Sequence, residues 1–154
     1  MSWIYLLISA VVVLADQGLK NYIAGNFALG EVHNVIPNVL SLTYLQNNGA
    51  AGNILSGKMW LFYLISFIVI PIVIYFIFSK KYNHWFFNLG LALVLGGIIG
   101  NLVDRLHLKY VIDMFQLDFM NFNIFNVADA GISVGIAILF IYLIFIDREE
   151  KWKN

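Results

Sequence analysis

Four long apolar segments, separated by shorter polar ones, account for most of this chain. The segments predict helices over residues 3–24, 59–78, 85–106 and 124–146. A helix needs about 20 mostly apolar residues to cross the hydrocarbon core of a bilayer, and each segment has about that length. The pattern therefore predicts an all-α membrane protein with four transmembrane helices.

The segment over residues 27–56 has a different pattern. Gly, Asn and Pro interrupt it, and apolar and polar residues alternate from Val39 to Gln46. Alternation with a period of two is typical of a half-buried strand that is too short to cross a membrane. The run from Asn47 to Asn53 is rich in Asn and Gly, which suits a tight turn. We expect a small β-structure outside the membrane here, and an outer loop over residues 107–123.

Composition supports a membrane location. Of the 154 residues, 61% are hydrophobic and 12% are charged, with a mean hydropathy of +0.82. Soluble domains are about half apolar and about a quarter charged, so we interpret residues 1–154 as a single membrane domain. The net charge of zero provides no basic surface for a nucleic acid. The absence of cysteine excludes a thiol nucleophile, thiolate metal ligands and disulfides.

The basic residues predict the orientation. The first apolar segment is interpreted as a retained helix and not as a cleaved signal peptide, because no Lys or Arg precedes it and no small-x-small site precedes its polar residues. Four crossings then put both termini and the loop between the second and third helices on one side. That side carries five basic residues and the opposite side carries four: Lys80, Lys81, Arg148, Lys151 and Lys153 against Lys20, Lys58, Arg105 and Lys109. We therefore expect cytoplasmic termini, with residues 27–56 and 107–123 on the extracytoplasmic face.

Polar residues are grouped at the outer ends of the third and fourth predicted helices. Their spacings of i, i+3, i+4 and of i, i+3 place each group on one helix face: Asn101, Asp104 and Arg105, then Asn126 and Asp129. Asp113 lies between the two groups in an aromatic-rich segment. If the two helices are neighbours, Asp113 and Asp129 converge at one depth.

Two close carboxylates cannot both ionise cheaply, so they share a proton. One member can then draw a proton from water while the other donates to a scissile amide. The alternative is a structural seam of helix-ending polar residues, and spacing alone leaves both interpretations open. The same holds for Asp16 and Lys20 on the first helix, whose i, i+4 spacing fits an interfacial ion pair or a strut that positions a site.

Other functions are less well supported by the residues. Ser56 and Lys58 flank Gly57 at the start of a helix, where capping explains Ser56 better than a Ser–Lys protease does. The three histidines lie in separate connectors and lack HExxH spacing, which makes a metal site improbable. A small transporter or proton channel would use the aspartates as relay groups, and a non-catalytic helper subunit would use the glycines of the third helix for docking.

Five short motifs follow one another along the chain: Asp16-Gln17-x-x-Lys20, Asn47-x-Gly49-Ala50-Ala51, Gly96-Gly97-x-x-Gly100-Asn101-x-x-Asp104-Arg105, Val111-x-Asp113 and Phe125-Asn126-x-Ala128-Asp129. In these motifs and their order the chain resembles the lipoprotein signal peptidase family, also called signal peptidase II. Each motif alone is weak, but the ordered set with four spans is specific.

The resemblance implies an aspartic endopeptidase of the bacterial cytoplasmic membrane. Such enzymes remove the signal peptide from diacylglyceryl-modified prolipoproteins by cutting before the lipidated cysteine, and need no cofactor or metal. It implies that Asp113 and Asp129 are the catalytic pair. It assigns substrate binding or support of the site to a further set: Asn47, Gly49, Asn101, Asp104, Arg105, Asn126, Asp16 and Lys20. We expect a monomer whose partners are the precursor and the bilayer.

The resemblance also predicts local structure. Residues 27–56 are similar to the extracytoplasmic β-cradle of the family, and residues 113–123 to a short outer-surface helix and lid. The chain departs from the family pattern at Met114, where Phe is usual, and at Gly52, where an aromatic residue is frequent. We expect both departures to affect the lining of the substrate groove.

Overall fold

The computed structural model describes residues 2–49, 55–79 and 84–146. Its four long helices are α1 (Trp3–Asn26), α2 (Met59–Phe78), α3 (Trp85–His107) and α4 (Val127–Ile141), and α4 continues as a π-helical turn to Ile146. All four are long and apolar enough to cross a membrane. This confirms the predicted fold class of four transmembrane helices with a small β-structure.

Helix α3 lies at the centre of the bundle and packs against α1, α2 and α4. In its most apolar stretch 67% of the residues are buried inside the protein, against 17% or less in the other three helices, whose surfaces are left for lipid. Its glycines permit close packing. A Cβ atom at Gly97 would overlap the backbone oxygen of Ala128 in α4, and one at Gly100 would lie 2.7 Å from a carboxylate oxygen of Asp16 in α1.

A three-stranded antiparallel sheet covers one end of the bundle. Its strands are β1 (Val32–Ile36), β2 (Leu40–Asn47) and β3 (Val111–Leu117), in the order β1-β2-β3. The alternating segment thus forms the expected strand. Its polar residues Ser41 and Thr43 are the more buried ones. The Ser41 hydroxyl can donate to either of two side-chain oxygens, those of Asn34 at 2.8 Å and Asp118 at 2.6 Å, so its burial leaves no donor unpaired.

The prediction of a short outer-surface helix over residues 113–123 is wrong. Residues 111–117 form β3 instead, and turns and extended chain follow up to α4. The free edge of β2 offers hydrogen-bond partners to the backbone of this segment. An isolated helix of two or three turns is only marginally stable, so the strand is the more stable conformation here. Phe125 also pairs with Phe115, so α4 begins at Val127 and not at residue 124.

A small apolar core joins the sheet to the end of α1. Ile23, Ile112 and Met114 are almost completely buried there, and Leu42 and Tyr44 of β2 pack against them. This contact fixes the height and tilt of β3 relative to the bundle, and therefore the position of Asp113 in the middle of that strand.

Several residues used in the sequence analysis lie outside the described ranges. They include the five basic residues behind the predicted orientation and part of the second motif: Lys80, Lys81, Arg148, Lys151, Lys153, Ala50, Ala51 and Gly52. The orientation and the effect of Gly52 therefore stay predictions.

Candidate active site

Asp113 of β3 and Asp129 of α4 line one cavity at the sheet-covered end of the bundle. The cavity has a volume of about 450 Å³, and Asn47, Asn101 and Arg105 contribute polar groups to its wall. Apolar side chains from α4, from the end of β3 and from the connection between them form most of the rest: Ile132, Val134, Leu117, Phe122, Ile124 and Phe125. The structure thus brings together the two groups of polar residues found at the helix ends.

Both carboxylate oxygens of Asp113 accept hydrogen bonds from amides. Asn126 donates to one oxygen at 2.7 Å and Asn47 donates to the other at 2.9 Å. The side chain is 1% exposed. Burial raises the pKa of Asp113 to about 6, and the nearby charge of Asp129 acts in the same direction, against the two amide hydrogen bonds. Asp113 can therefore hold a proton close to neutral pH.

Asp129 occupies the first turn of α4, where the unpaired backbone N–H groups favour negative charge. One of its oxygens accepts from the Asn101 side chain at 2.8 Å. The other accepts from the backbone N–H of Asn126 at 3.3 Å, and the Asn126 side chain in turn accepts from the backbone N–H of Asp129 at 2.8 Å. This reciprocal capping box starts the helix and fixes the carboxylate in place.

Two asparagines connect the two acids. Asn126 is completely buried, and its amide donates both to Asp113 and to the side-chain oxygen of Asn101, at 2.7 and 3.1 Å. Asn101 uses its own amide for Asp129. A shift of either asparagine would therefore change the relative position of the two carboxylates.

Behind this pair lies a buried ionic network centred on Lys20. Its ammonium is 2.8 Å from Asp16, 2.9 Å from Asp104 and 3.0 Å from the side-chain oxygen of Asn101. All three charged side chains are at most 3% exposed, so the Asp16–Lys20 pair is buried inside the bundle.

The acids of this network also bind backbone outside their own helices. Asp16 accepts from the backbone N–H of Ala128 at 2.9 Å, and Asp104 accepts from that of Ile112 at 3.0 Å. The network therefore ties α1 and α3 to the start of α4 and to β3, the two elements that carry Asp129 and Asp113.

Gln17 belongs to this network and is absent from the residues proposed from the sequence. Its amide donates to Asp104 at 2.8 Å and to the backbone oxygen of Gly100 at 3.1 Å. Its position inside the motif that contains Asp16 and Lys20 is the local signal, because Gly100 and Asp104 lie more than 80 residues further along the chain.

Gly49 and Arg105 hold the turn that follows β2. The Arg105 guanidinium donates to the backbone oxygen of Gly49 at 3.2 Å, and the Gly49 N–H donates to the side chain of Asn47 at 2.9 Å. Through Asn47 this turn reaches Asp113. Within the described ranges, no group of three or more His, Asp or Glu side chains could hold a metal ion.

The expected effect of Met114 on the groove is wrong. Its side chain is 0% exposed and packs with Ile23 and Ile112 on the far side of β3, so it does not line the cavity. Side chains alternate along a strand, so the residue after Asp113 points away from the site.

Comparisons with known proteins show the family of this chain. The family model described as signal peptidase (SPase) II matches residues 8–145. The lipoprotein signal peptidase of Lactobacillus gasseri is 65% identical over 147 residues, which cover 96% of each chain. That of Enterococcus faecalis is 47% identical over 148 residues, which cover 96% of this chain and 92% of the relative.

Solved structures show the same fold. A bacterial membrane enzyme determined by the in meso method has a TM-score of 0.87 and 35% identity, and the match covers 90% of this chain and 86% of that one. A second such structure has a TM-score of 0.85 and 34% identity, with 92% and 93% covered. On its sequence, its four-helix fold and the extent of these matches, the chain belongs to the signal peptidase II family and is a membrane-spanning peptidase.

Proposed function

We propose that this chain removes the signal peptide from diacylglyceryl-modified bacterial prolipoproteins by cutting before the lipidated cysteine, with Asp113 and Asp129 as the catalytic pair. The observation that carries this proposal is the placement of both acids in one largely apolar cavity, with three asparagine amides bonded to them. A water molecule between the two carboxylates would face a proton donor and a proton acceptor at once.

The surroundings of the acids suggest separate roles. Asp113, whose pKa is raised to about 6, is the proton donor, and Asp129, at the positive end of α4, is the acceptor. Asp129 takes a proton from water as the water oxygen bonds to the carbonyl carbon, and Asp113 gives its proton to the carbonyl oxygen. The product of this step is a tetrahedral diol intermediate. When it breaks down, Asp129 protonates the amide nitrogen, the C–N bond breaks, and one hydroxyl of the diol returns a proton to Asp113.

The shape of the site fits a substrate that leaves a membrane at this point. The apolar wall on α4, formed by Ala130, Ile132 and Val134, suits the end of a signal peptide. A second cavity of about 400 Å³ shares Asp113 with the first and is lined by more polar side chains: Gln46, Asn48 and Asn123. Its amides suit the backbone of the residues that follow the scissile bond.

The proposed location rests on the distribution of basic residues. It places the protein in the bacterial cytoplasmic membrane with both termini in the cytoplasm and the site on the extracytoplasmic face. A single copy of the chain supplies both acids and the three asparagine amides bonded to them, which supports a monomer. The transporter alternative is not supported, because the matching relatives are peptidases.

The substrate class can be tested with one precursor in two forms. Purified protein in lipid nanodiscs is incubated with a precursor whose cysteine carries diacylglycerol, and with the same precursor unmodified. We expect cleavage of the modified form only, with a new amino terminus at the lipidated cysteine by mass spectrometry. Equal cleavage of both forms, or a cut elsewhere, would contradict the proposed specificity.

Activity should also depend on pH in a defined direction. Because Asp113 acts as a donor with a pKa of about 6, its protonated fraction falls about tenfold for each pH unit well above that value. We therefore expect kcat/KM for the lipidated precursor to decline as pH rises from about 6 to 8. Intrinsic fluorescence at each pH serves as a control for folding, and a rate that is flat or rises across this range would rule out the donor role of Asp113.

A further inference from the structure

The Arg105 side chain brings a positive charge into the cavity wall without pairing with either catalytic candidate. Among the described residues its side chain donates to the backbone oxygen of Gly49, and no carboxylate lies within ion-pair distance of it. Its Nε is buried and has no hydrogen-bond partner in that part of the chain. Asp113 and Asp129 nevertheless line the same cavity and are close enough for their charges to act on the guanidinium.

An aromatic ring of α2 holds the guanidinium in this position. The central carbon of the Arg105 guanidinium is 4.3 Å from the centroid of the Phe62 ring. The next residue, Tyr63, donates from its hydroxyl to the backbone oxygen of Arg105 at 2.7 Å, which brings the start of α2 against the end of α3. A cation over the face of an aromatic ring is attracted by the ring quadrupole, and more strongly where water is excluded.

We propose that Phe62 is a positioning residue that keeps the Arg105 guanidinium against Gly49 and away from the carboxylates of Asp113 and Asp129. Without the ring, the free N–H donors of Arg105 can turn toward the nearest carboxylate, which a guanidinium binds through two parallel hydrogen bonds. A carboxylate paired in this way stays ionised, so the two acids no longer share the proton that the reaction needs. This inference rests on the proposed function.

The other charged groups around the acids are already engaged. Lys20, which also acts on Asp113, is bonded to Asp16 and Asp104. The Tyr63 hydroxyl faces backbone. Among the described residues beside the cavity, Arg105 thus differs from Lys20 because no opposite charge holds it. The Phe62 ring and the backbone oxygen of Gly49 set its position instead.

Graded fluorination of Phe62 tests this directly. Replacing it with 4-fluoro-, 3,5-difluoro- and 3,4,5-trifluorophenylalanine weakens the negative ring face while nearly preserving shape and folding. We expect the alkaline limb of the kcat/KM profile to move stepwise to lower pH, by about one unit or more over the series, because an adjacent cation lowers a carboxyl pKa by that order. F62L should give the largest shift and F62W should retain the wild-type limb.

Phe67 provides the matched control, because it lies on the same helix and is 61% exposed on the surface left for lipid, whereas the Arg105 guanidinium lies over the Phe62 ring. Fluorination of Phe67 should leave the profile unchanged. An alkaline limb that stays in place through the Phe62 series overturns the inference. A loss of activity by the same factor at every pH also overturns it, because a uniform loss indicates a purely structural role. The pKa of Asp113 is also measured in the same series without substrate, from the titration of its carboxyl infrared band. Because this measurement does not depend on cleavage, it distinguishes failure of this inference from failure of the proposed function.

Discussion

Replacing Asp113 or Asp129 with asparagine is expected to lower the rate of precursor cleavage by about a thousandfold or more, because each variant lacks one of the two groups that move protons in the proposed mechanism. The D113N/D129N double variant should be no less active than either single variant, since residues that act as one unit lose activity non-additively. The measurement is single-turnover cleavage of the lipidated precursor in nanodiscs.

Asp118 provides a matched control for this experiment. It lies just after β3, is exposed, and lines neither of the two cavities around Asp113. Asp118→Asn should retain nearly full activity, because an asparagine oxygen can still accept the bond from Ser41. Wild-type cleavage by either D113N or D129N would refute the assignment of the catalytic pair.

Replacing Lys20 with methionine is expected to lower the free energy of unfolding by about 3–5 kcal/mol, because removing one partner of a buried ion pair leaves the other charges uncompensated. Here two acids would remain, since Lys20 bridges Asp16 and Asp104 at 2.8 and 2.9 Å. Cleavage should fall as well, because the side-chain oxygen of Asn101 loses its bond to the ammonium. Reversible denaturation in mixed detergent micelles measures the first effect.

The exposed Lys58 at the start of α2 is the control for charge removal, and Lys58→Met should change the unfolding free energy by less than about 0.5 kcal/mol. The K20M/D104N double variant should recover part of the stability lost in K20M, because it carries one fewer unpaired buried acid. If K20M unfolds like the wild type, the network does not stabilise the bundle in the way that the distances indicate.

The structure also explains why one local prediction failed and a similar one succeeded. The alternating segment over Val39 to Gln46 reads as a strand by itself, and it forms β2. The segment that forms β3 has no comparable signal, because its conformation depends on the free edge of β2 and on burial of Met114 against Ile23 of α1. These partners lie far away in sequence, so local propensity could not reveal them.

The sequence by itself determined the four spans and the helix faces on which the polar residues lie. Both depend on consecutive residues, because lipid selects for about 20 apolar positions in a row and the helical repeat places i, i+3 and i+4 on one face. The ordered motifs also pointed to the family that the comparisons show. These features require no knowledge of which helices are neighbours.

Only the tertiary structure decided how the polar residues are combined. Lys20 reaches Asn101 across 81 residues, Asn47 reaches Asp113 across 66, and the Phe62 ring meets Arg105 from another helix. Such contacts are set by the packing of glycine-lined α3 against its neighbours and by the pairing of β2 with β3. Their energy comes from burial and desolvation in the assembled bundle, so no short stretch of the chain carries a signal for them.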